Sequence, residues 1–581
     1  MADPQALAEQ LVLRYLDHVR DHEPVEATRL GLDERNGDLP DLAPAALAER
    51  SRDLAVLDAE VARVLTDLPT GATGVVREAR ADLELLASEL TFRRFRLDVR
   101  PRFVLDPLAA LETISAGMHE LLRYAQFGPQ DRCRRLEAAA QRARRVPVLL
   151  EQAGRLLASA PSPHLDLALQ RLPGLVSLMR EELPRRAEQL GVDVSPARDA
   201  GEVAAEGLEA YGALLDELSD EPEADWRLGP EQHRLTLRAG LGTQMSPGQI
   251  EDRARSWIGE VQAELAELSA ATWSRRFPGE PIPDDEYTRV RRTLSAVADT
   301  AVGRDELVPE AQRAVDEARA FALASDLIDV PSGDRLTVTE VPPYLRGIAV
   351  AFITQAPPLR PDAGCTYYVS PVPEQWTHAQ ARAFLREYSP AQLRSLAIHE
   401  TYPGHFVQLE HASQHPRLAR RLLTRPVFAE GWAVYIEREV LAAGFGDGDT
   451  SAVSGDDYRI TQRKLELRIA TNALLDVELH AGELPDGDAL DLLTWTAYEE
   501  QSEAEAKLVR AKVTSGQLCS YFVGGEEVRD LREAIERRDG SAFDARAFHQ
   551  RLLSEGTPTV PIVAAAIDDD APVRRPFVRV G

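Results

Sequence analysis

Residues 393–409 read LRSLAIHETYPGHFVQL, and the expected architecture follows from this stretch. Apolar side chains lie before His399 and after His405, which predicts two buried helical segments joined within a few residues. Pro403 cannot donate a backbone hydrogen bond and Gly404 tolerates unusual dihedral angles, so the pair predicts an unwound or bulged helix between the segments. We therefore expect a buried helical core that is distorted at this point.

The same stretch carries side chains that bind metals. His399 and His405 supply two imidazoles, Glu400 lies next to the first of them, and Glu430 follows in the run EGWA. Two imidazoles and two carboxylates can hold a zinc ion with an open coordination position and activate water there. In the usual zinc-protease pattern the two histidines are four residues apart on one helical face. A step of six residues instead rotates by roughly 600° and leaves His405 about 120° from His399, so chelation requires the predicted distortion.

Other interpretations of the histidines remain open. A histidine near a helix is often a hydrogen-bonded structural residue, and this interpretation also applies to His399 and His405. His411 and His415 have the i, i+4 spacing of a helical metal pair, but their polar stretch ends at Pro416 and no glutamate lies between them. We interpret His411 and His415 as solvated residues at a helix end.

Further motifs extend along most of the chain. They are Glu430-Gly431-Trp432-Ala433-x-Tyr435-x-Glu437, then Arg468, Asp476 and His480, then Arg510, Gly516-Gln517, Tyr521 and Gly524, and near the amino terminus Pro24-x-x-Ala27-Thr28-x-x-Gly31 and Leu39-Pro40-Asp41. With the motif from His399 to His405 and Gln408, they make the chain similar to the bacterial family called domain of unknown function 885. The resemblance implies a mainly helical, metallopeptidase-like fold of the gluzincin type, in which a glutamate is the third zinc ligand.

The chain departs from the family pattern in three places. Ser515 precedes Gly516-Gln517 where the family has proline, Ala511 follows Arg510 where the family has tyrosine, and Phe406 replaces a common second histidine. These departures leave the metal-binding residues intact. They imply that contacts on the substrate side differ.

On this basis we expect a zinc ion held by His399, His405 and Glu430, with water in the fourth position. Zinc lowers the pKa of such a water to about 7. Glu400 is the expected general base, which takes the water proton and passes it to a leaving amine. Glu430 is predicted to open a helix, with Glu437 on nearly the same face. Glu437 is either a carboxylate that orients a ligand histidine or a salt-bridged helix residue.

Amide hydrolysis also needs a donor for the developing oxyanion. Tyr521 is the first candidate and His480 the second, although a packing role is open for both. Arg510 is the candidate for a bidentate contact with a substrate carboxylate, which would favour a carboxypeptidase or dipeptidase. A structural salt bridge is the alternative role for Arg510.

The predicted fold class is mainly α, with a small β-sheet before the metal-binding helix. We divide the chain into an N-terminal helical region, residues 1–244, and a catalytic region, residues 245–581. These regions form either two packed halves or one continuous domain.

Several local signals predict helices within these regions. Apolar periodicity over Val76–Arg94 and Leu136–Leu157 predicts amphipathic helices. Frequent prolines argue against long coiled coils, which are the competing interpretation of this region. Ser246 and Pro247 predict the N-cap and the first position of a new helix near the boundary.

Residues 334–371 have the composition of strands separated by proline-rich turns. The predicted strands are Arg335–Val341, Gly347–Ile353 and Cys365–Val369. An edge strand of this sheet could hold an extended peptide by backbone pairing. Tyr367 and Tyr368 are candidates to line that cleft, with packing in the sheet as the alternative.

Composition narrows the possible partners and compartment. A net charge of -28 argues against nucleic acid, because phosphate binding needs a concentrated basic surface. The three cysteines are too scattered for a disulfide framework or a thiolate zinc site. The first residues lack the basic region and apolar core of a signal peptide, and no apolar run approaches a membrane span. We predict a cytoplasmic protein without a membrane partner.

The sequence therefore predicts a zinc-dependent hydrolase of peptide or peptide-like amide bonds that acts on a small peptide or amide substrate. Two alternatives remain open. One is a non-peptidase metalloenzyme, such as a lyase or an amidase of specialised metabolism. The other is a helical scaffold or binding protein that has lost catalysis.

Overall fold

The structure is a computed structural model that describes residues 3–69, 74–123, 127–157, 159–219, 224–300, 302–333, 335–341, 351–360, 364–447 and 453–567. Most of these residues lie in helices. These ranges also contain one small β-sheet. The predicted class, mainly α with a small sheet ahead of the motif from His399 to His405 (named the metal motif for its predicted role), is confirmed.

The helices fall into three groups along the chain. Those before residue 245 are α1 (Pro4–His22), α2 (Pro24–Leu30), α3 (Pro44–Asp67), α4 (Val75–Arg94), α5 (Arg102–Leu105), α6 (Leu108–Leu122), α7 (Pro129–Ala143), α8 (Val146–Leu156), α9 (Ser162–Ser177), α10 (Leu183–Leu190), α11 (Ser195–Leu218) and α12 (Gly229–Leu241). Those that lead to the metal motif are α13 (Pro247–Arg276), α14 (Glu286–Ala298), α15 (Leu307–Ala324), α16 (His378–Glu387) and α17 (Pro390–Glu400). Those that follow are α18 (His405–Ser413), α19 (Leu418–Leu422), α20 (Pro426–Ala442), α21 (Gly455–His480), α22 (Asp486–Asp491), α23 (Gln501–Val513), α24 (Cys519–Asp539), α25 (Ala545–Leu553) and α26 (Val560–Ile567).

Short sequence signals set the helix ends. α13 begins with the predicted capping arrangement, because Ser246 Oγ accepts from the Gln249 N–H at 3.2 Å and the Gln249 side chain accepts from the Ser246 N–H at 2.9 Å. α4 matches its predicted range closely. A single helix over Leu136–Leu157 is wrong: α7 ends at Ala143 and α8 begins at Val146. Pro147 in the first turn of α8 cannot continue the hydrogen bonding of α7.

Buried apolar side chains form several cores. One core lies within α6 to α11 and includes Leu111, Leu150 and Leu208. A second core joins α1, α3 and α4 to Leu422 of α19 and Ile562 of α26. The N-terminal helices thus share a core with the end of the chain, and the division at residue 245 stays a prediction.

The largest core surrounds the metal motif. It contains Ile398 of α17, Val407 of α18 and Trp432 of α20, each almost completely buried. α13 packs along α21 and α20 packs along α24, and residues of all four helices belong to this core. The metal motif is therefore held by rigid, close-packed helices.

The sheet directly precedes α16 and α17 in the chain. Its strands are β1 (Leu336–Glu340), β2 (Ala351–Thr354) and β3 (Cys365–Val369), in the order β1-β3-β2. β1 runs parallel to β3 and β2 runs antiparallel to it, with Val338 and Ile353 both opposite Tyr367. Residues 347–350 of the predicted second strand lie outside the described residues. β2 forms one edge of the sheet, on the side of α17.

Across the described ranges, no helix combines the length and the apolar character that crossing a lipid bilayer requires.

Candidate metal centre

The metal motif is divided between two helices. α17 ends at Glu400 and α18 begins at His405, and the peptide bond between Tyr402 and Pro403 is cis. The Gly404 N–H donates to the carbonyl of Ile398 at 3.0 Å. The predicted distortion is thus confirmed. It brings the ring centroid of His405 to 4.7 Å from that of His399.

Gly404 and Trp432 fix this break. A β-carbon at residue 404 would collide with the carbonyl oxygens of Ile398 and His399, so only glycine fits. The indole N–H of Trp432 donates to the carbonyls of Pro403 at 3.1 Å and Gly404 at 3.3 Å. Since Trp432 is fully buried in α20, these contacts tie the break to the helix that carries Glu430.

Glu430 lies one turn inside α20. The prediction that it opens the helix is wrong, because α20 begins at Pro426. Proline is favoured at the first helical position, where its missing N–H costs no hydrogen bond. The start of α20 does not change the face on which Glu430 lies, and both Glu430 and Glu437 contact His399.

The donor atoms of His399, His405 and Glu430 converge within 4.8 Å of one another. Oε2 of Glu430 lies 3.4 Å from Nε2 of His399 and 3.4 Å from Nε2 of His405. This oxygen is buried and has no hydrogen-bond partner in the described part of the chain. Burial alone would raise the pKa of Glu430, but the neighbouring His405 and His399 outweigh it and hold the pKa well below its ordinary value.

Glu437 holds His399 from the other side of the imidazole. Nδ1 of His399 lies 2.6 Å from Oε1 of Glu437, whose side chain is only 4% exposed. In the neutral ring that a metal ligand must be, donation from Nδ1 to Glu437 leaves the lone pair of Nε2 free to bind an ion. Burial opposes protonation of His399, yet the contacts with Glu430 and Glu437 raise its pKa well above the ordinary value. This geometry is what a carboxylate that orients a ligand histidine requires.

Glu400 lies next to the cluster without belonging to it. Its Oε2 accepts a hydrogen bond from the N–H of Ile353, on edge strand β2, at 3.2 Å. Burial raises the pKa of Glu400, although the nearby His405 and His399 partly offset this effect. The carboxylate is thus placed between the histidines and strand β2.

A cavity of about 840 Å³ opens beside His399 and Glu400. Its walls come mainly from α16, α17, α21 and α23. Aromatic side chains line one part of it, namely Trp376, Phe384 and Tyr388. Polar and charged side chains line the rest, including Glu387, Arg468, Asn472, Glu500, Glu503, Lys507, Arg510 and Tyr521. This space is large enough for a small peptide.

Tyr521 and Arg510 both face this cavity. The Tyr521 ring is stacked near His399, with 6.3 Å between centroids. Burial raises the pKa of Tyr521 well above its ordinary value, so the hydroxyl keeps its proton at neutral pH. The exposed Arg510 guanidinium forms no ion pair with any described residue, whereas Arg468 pairs with Glu499 and Glu503. The structural salt bridge considered for Arg510 is therefore not found in the described ranges.

His480 lies away from this cavity. Its Nε2 is 2.8 Å from the carbonyl of Ala511, and its ring stacks on His233 at 5.9 Å. Asp476 accepts from His233 and from the Gly516 N–H in the same buried network. The structure therefore places His480 among residues that join α12, α21 and the end of α23.

The two tyrosines of β3 are buried within the sheet. Tyr367 and Tyr368 are each 1% exposed, and neither lines the cavity. Tyr368 packs on Phe352, with ring centroids 5.4 Å apart. The position of both side chains agrees with the packing alternative, and burial, with a smaller contribution from the charge of Glu400, raises the pKa of Tyr367.

The rival pair, His411 and His415, has separate backbone hydrogen-bond partners. Nε2 of His411 lies 3.2 Å from the carbonyl of Asp329, while Nδ1 of His415 accepts from the Arg417 N–H at 3.1 Å. Both are partly buried near the end of α18, so they are less solvated than the sequence predicts.

Several cavity residues were not found by sequence reasoning as site candidates. Glu387 ends α16 and Tyr388 follows it, while Asn472 lies on α21 and Lys507 on α23, so these residues meet only in the folded chain. A weak signal exists on α21, where Leu465, Arg468, Ile469 and Asn472 have the spacing of one helical face. That spacing reveals a shared face but not which cavity it borders.

The residues of the cluster fit a zinc ion. Two imidazole nitrogens and one carboxylate oxygen are the donor set of catalytic zinc sites. The buried Oε2 of Glu430 supports this fit, because it lies 3.4 Å from both imidazole nitrogens without a hydrogen bond to either, and such an oxygen is costly unless an ion or water satisfies it. Glu437 supplies the hydrogen-bonded carboxylate that ligand histidines usually have.

Comparisons with known proteins agree with the fold. A family model described as "Bacterial protein of unknown function (DUF885)" matches residues 24–567. A "putative lipoprotein of unknown function" from Shewanella oneidensis is similar in structure, with a TM-score of 0.81 and 23% identity over 98% of this chain and 100% of that one. A "putative lipoprotein" from Colwellia psychrerythraea has a TM-score of 0.76 and 16% identity over 96% of this chain and 98% of that one. No curated protein matches the sequence. The cytoplasmic localisation stays a prediction.

Proposed function

The chain belongs to the bacterial family of unknown function DUF885, and we propose that it is a zinc-dependent hydrolase of peptide or peptide-like amide bonds with a gluzincin-like metallopeptidase fold. The strongest support is the convergence of His399, His405 and Glu430 within 4.8 Å, with Glu400 beside them at the wall of a large cavity. A scaffold protein has no need for a buried carboxylate oxygen that lies 3.4 Å from two imidazole nitrogens without a well-formed hydrogen bond to either.

His399, His405 and Glu430 would hold the ion, and Glu437 keeps His399 in the orientation that binding needs. When bound, zinc supplies Lewis acidity, which polarises a carbonyl and makes water more acidic. Glu400 takes the proton of the attacking water and delivers it to the leaving amine. Its placement next to His399 and at the cavity wall supports this role.

Tyr521 supplies the hydrogen bond to the developing oxyanion. Its raised pKa keeps the hydroxyl protonated, and its ring lies beside His399 at the cavity wall. A donor aimed at developing negative charge is worth more in a water-poor site than in water. Tyr521 is therefore a better candidate than His480, whose Nε2 faces backbone carbonyls.

Arg510 and β2 favour a small peptide with a free carboxylate. Arg510 is a guanidinium at the cavity without an ion-pair partner in the described ranges, so its donors are available to a substrate carboxylate. β2 is an edge strand whose Ile353 N–H already faces Glu400, so an extended backbone paired along it would pass close to the general base. Both features favour a carboxypeptidase or dipeptidase.

The test compares metal content and hydrolysis in the same preparations. Wild-type protein purified without added metal, His399→Ala and Glu430→Ala are analysed for zinc by mass spectrometry, and each is incubated with dipeptides and amides. We expect each substitution to remove about one zinc per chain relative to wild type. We also expect wild type to release amine from at least one substrate class, while Glu400→Gln keeps its zinc and loses activity.

Two results would contradict the proposal. If both substitutions leave the zinc content unchanged, including after zinc is supplied, the cluster is not a metal site and the scaffold interpretation gains support. If zinc is lost as expected but wild type cleaves no peptide or amide, the non-peptidase metalloenzyme replaces the hydrolase.

A further inference from the structure

A second group of metal-ligating side chains lies at the N-terminal helices. His18 and His22 are one turn apart at the end of α1, and Asp53 faces them from α3. Their donor atoms all lie within 4.8 Å of one another. The two imidazole centroids are 4.7 Å apart, and Nε2 of His22 is 2.9 Å from Oδ2 of Asp53. The helical i, i+4 spacing, which the motif from His399 to His405 lacks, is present here.

His18 is the unusual member of this group. Its side chain is only 5% exposed, and neither ring nitrogen has a hydrogen-bond partner among the described residues. Nε2 comes no closer than 3.9 Å to Oε1 of Glu23. A buried imidazole without a hydrogen-bond partner destabilises the fold, so such a group favours the binding of an ion or a water at its nitrogens.

The surrounding charges allow a cation. Glu23 lies beside His18 and pairs with both nearby guanidinium groups, Arg50 at 2.8 Å and Arg93. Their positive charge is therefore partly neutralised where it would repel an ion. His18 and His22 also lie in the last turns of α1, where the carbonyl ends of the helix attract positive charge.

We propose that His18, His22 and Asp53 form a second divalent-cation site of the zinc type, which clips the end of α1 to α3. Two imidazole nitrogens and one carboxylate oxygen suit zinc. His22 is 16% exposed and Asp53 53% exposed in their side chains, so an ion can enter from solvent. Because the ligands come from two helices, bound metal stabilises the folded N-terminal region.

The experiment removes the first cluster to isolate the second. The double variant His399→Ala/Glu430→Ala is freed of metal with a chelator, incubated with zinc chloride, desalted and analysed by mass spectrometry. We expect about one zinc per chain to remain. Adding His22→Ala or Asp53→Asn should remove it, whereas adding His378→Ala, an exposed histidine at the start of α16, should not.

Thermal unfolding gives a second measurement on the same proteins. Zinc should raise the melting temperature of the double variant but not that of the variant that also carries His22→Ala. Because His22 and Asp53 are partly exposed, their substitution should leave the circular dichroism spectrum unchanged. No zinc in the double variant, or zinc that persists without His22 and Asp53, overturns the site. Either result leaves the hydrolase proposal untouched, since the first cluster is absent from these proteins.

Discussion

Nδ1 of His399 lies 2.6 Å from Oε1 of Glu437, so a carboxylate outside the metal cluster orients one of its members. Glu437 and Glu430 both lie on α20. One helix therefore supplies a candidate ligand and also the residue that fixes the ring orientation of another. The zinc affinity of the cluster should depend on both.

Glu437→Gln should weaken zinc binding about 10- to 100-fold, because the amide keeps the shape of the side chain but loses its negative charge. Competition with a chromophoric chelator measures this change, in a His22→Ala background so that the α1–α3 cluster does not contribute. Glu439→Gln is the control, since Glu439 lies on the same helix but contacts Arg532. Equal affinities for all three proteins would show that Glu437 does not support the metal.

Tyr521→Phe should lower kcat about 10²- to 10³-fold because the oxyanion loses one donor. Zinc content should stay unchanged. Tyr435→Phe is a matched control on α20: its hydroxyl bonds His549 at 2.8 Å rather than facing the cavity, so its loss affects stability more than kcat. Steady-state kinetics separate the two, and a Tyr521→Phe enzyme with normal kcat would rule out the donor role.

Arg510→Ala should raise KM about 10- to 100-fold for peptides with a free carboxylate, the cost of losing charge-assisted hydrogen bonds. Peptides with an amidated C-terminus should show little change, because they offer no carboxylate. The KM of Arg510→Lys for these peptides should lie between those of wild type and Arg510→Ala, since lysine keeps the positive charge but lacks the planar guanidinium group. An equal effect on free and amidated peptides would contradict carboxylate recognition.

Gly431→Ala should destabilise the protein by about 1–3 kcal/mol through overpacking. A β-carbon at Gly431 would collide with the backbone of Gly524, where α20 meets α24. Gly259→Ala in α13 is the control, because that position has open space around it. This substitution should raise the free energy of unfolding by about 0.5–1 kcal/mol, since alanine reduces the flexibility of the unfolded chain. Denaturant unfolding measures whether Gly431→Ala lowers and Gly259→Ala raises the free energy of unfolding. An unchanged free energy of unfolding for Gly431→Ala would show that the helices can separate.

Titration of His549 should make the free energy of unfolding depend on pH. Its Nδ1 lies 2.8 Å from the Leu327 carbonyl and its Nε2 2.8 Å from the Tyr435 hydroxyl, which fits a neutral ring. Burial lowers its pKa to about 4. The unfolded chain binds this proton below about pH 6.5, so the folded state loses stability as pH falls from 6.5 towards 4.

The expected loss from His549 alone is roughly 2 kcal/mol between pH 7 and pH 5. His549→Gln keeps hydrogen-bonding groups but does not titrate, so its free energy of unfolding should fall less over this range. Urea unfolding at several pH values gives the slope of the free energy of unfolding against pH for wild type and for His549→Gln. Parallel slopes for wild type and variant would show that His549 is protonated in the folded state as readily as in the unfolded state.

Local chemistry allowed much of the fold to be predicted. The Pro403-Gly404 pair marks the helix break, and Ser246-Pro247 marks the start of α13. Segments of residues 334–371 with the composition of strands form β1, β2 and β3. The start of α20 was missed although Pro426 offered the same type of signal. These features depend on neighbouring residues, which is why the sequence reveals them.

The walls of the cavity could not be predicted in this way. Glu387, Asn472 and Lys507 meet because α16, α21 and α23 pack together, and no spacing along the chain encodes that packing. His480, in contrast, was a candidate from the sequence but does not line the cavity. Its ring contacts the Ala511 carbonyl and the His233 ring instead. Tyr521 became a candidate through motif resemblance, and its position beside His399 depends on the contact between α20 and α24.

The glycine contact between α20 and α24 has a mechanical consequence. Gly431 lies next to Glu430, and Gly524 lies one turn after Tyr521, so the two helices approach closely beside the candidate ligand and the candidate donor. Backbones in such direct contact move as one body. We expect α20 and α24 to keep their relative position when substrate binds, so that substrates of different size are accommodated by displacement of α16 and α23, which also line the cavity.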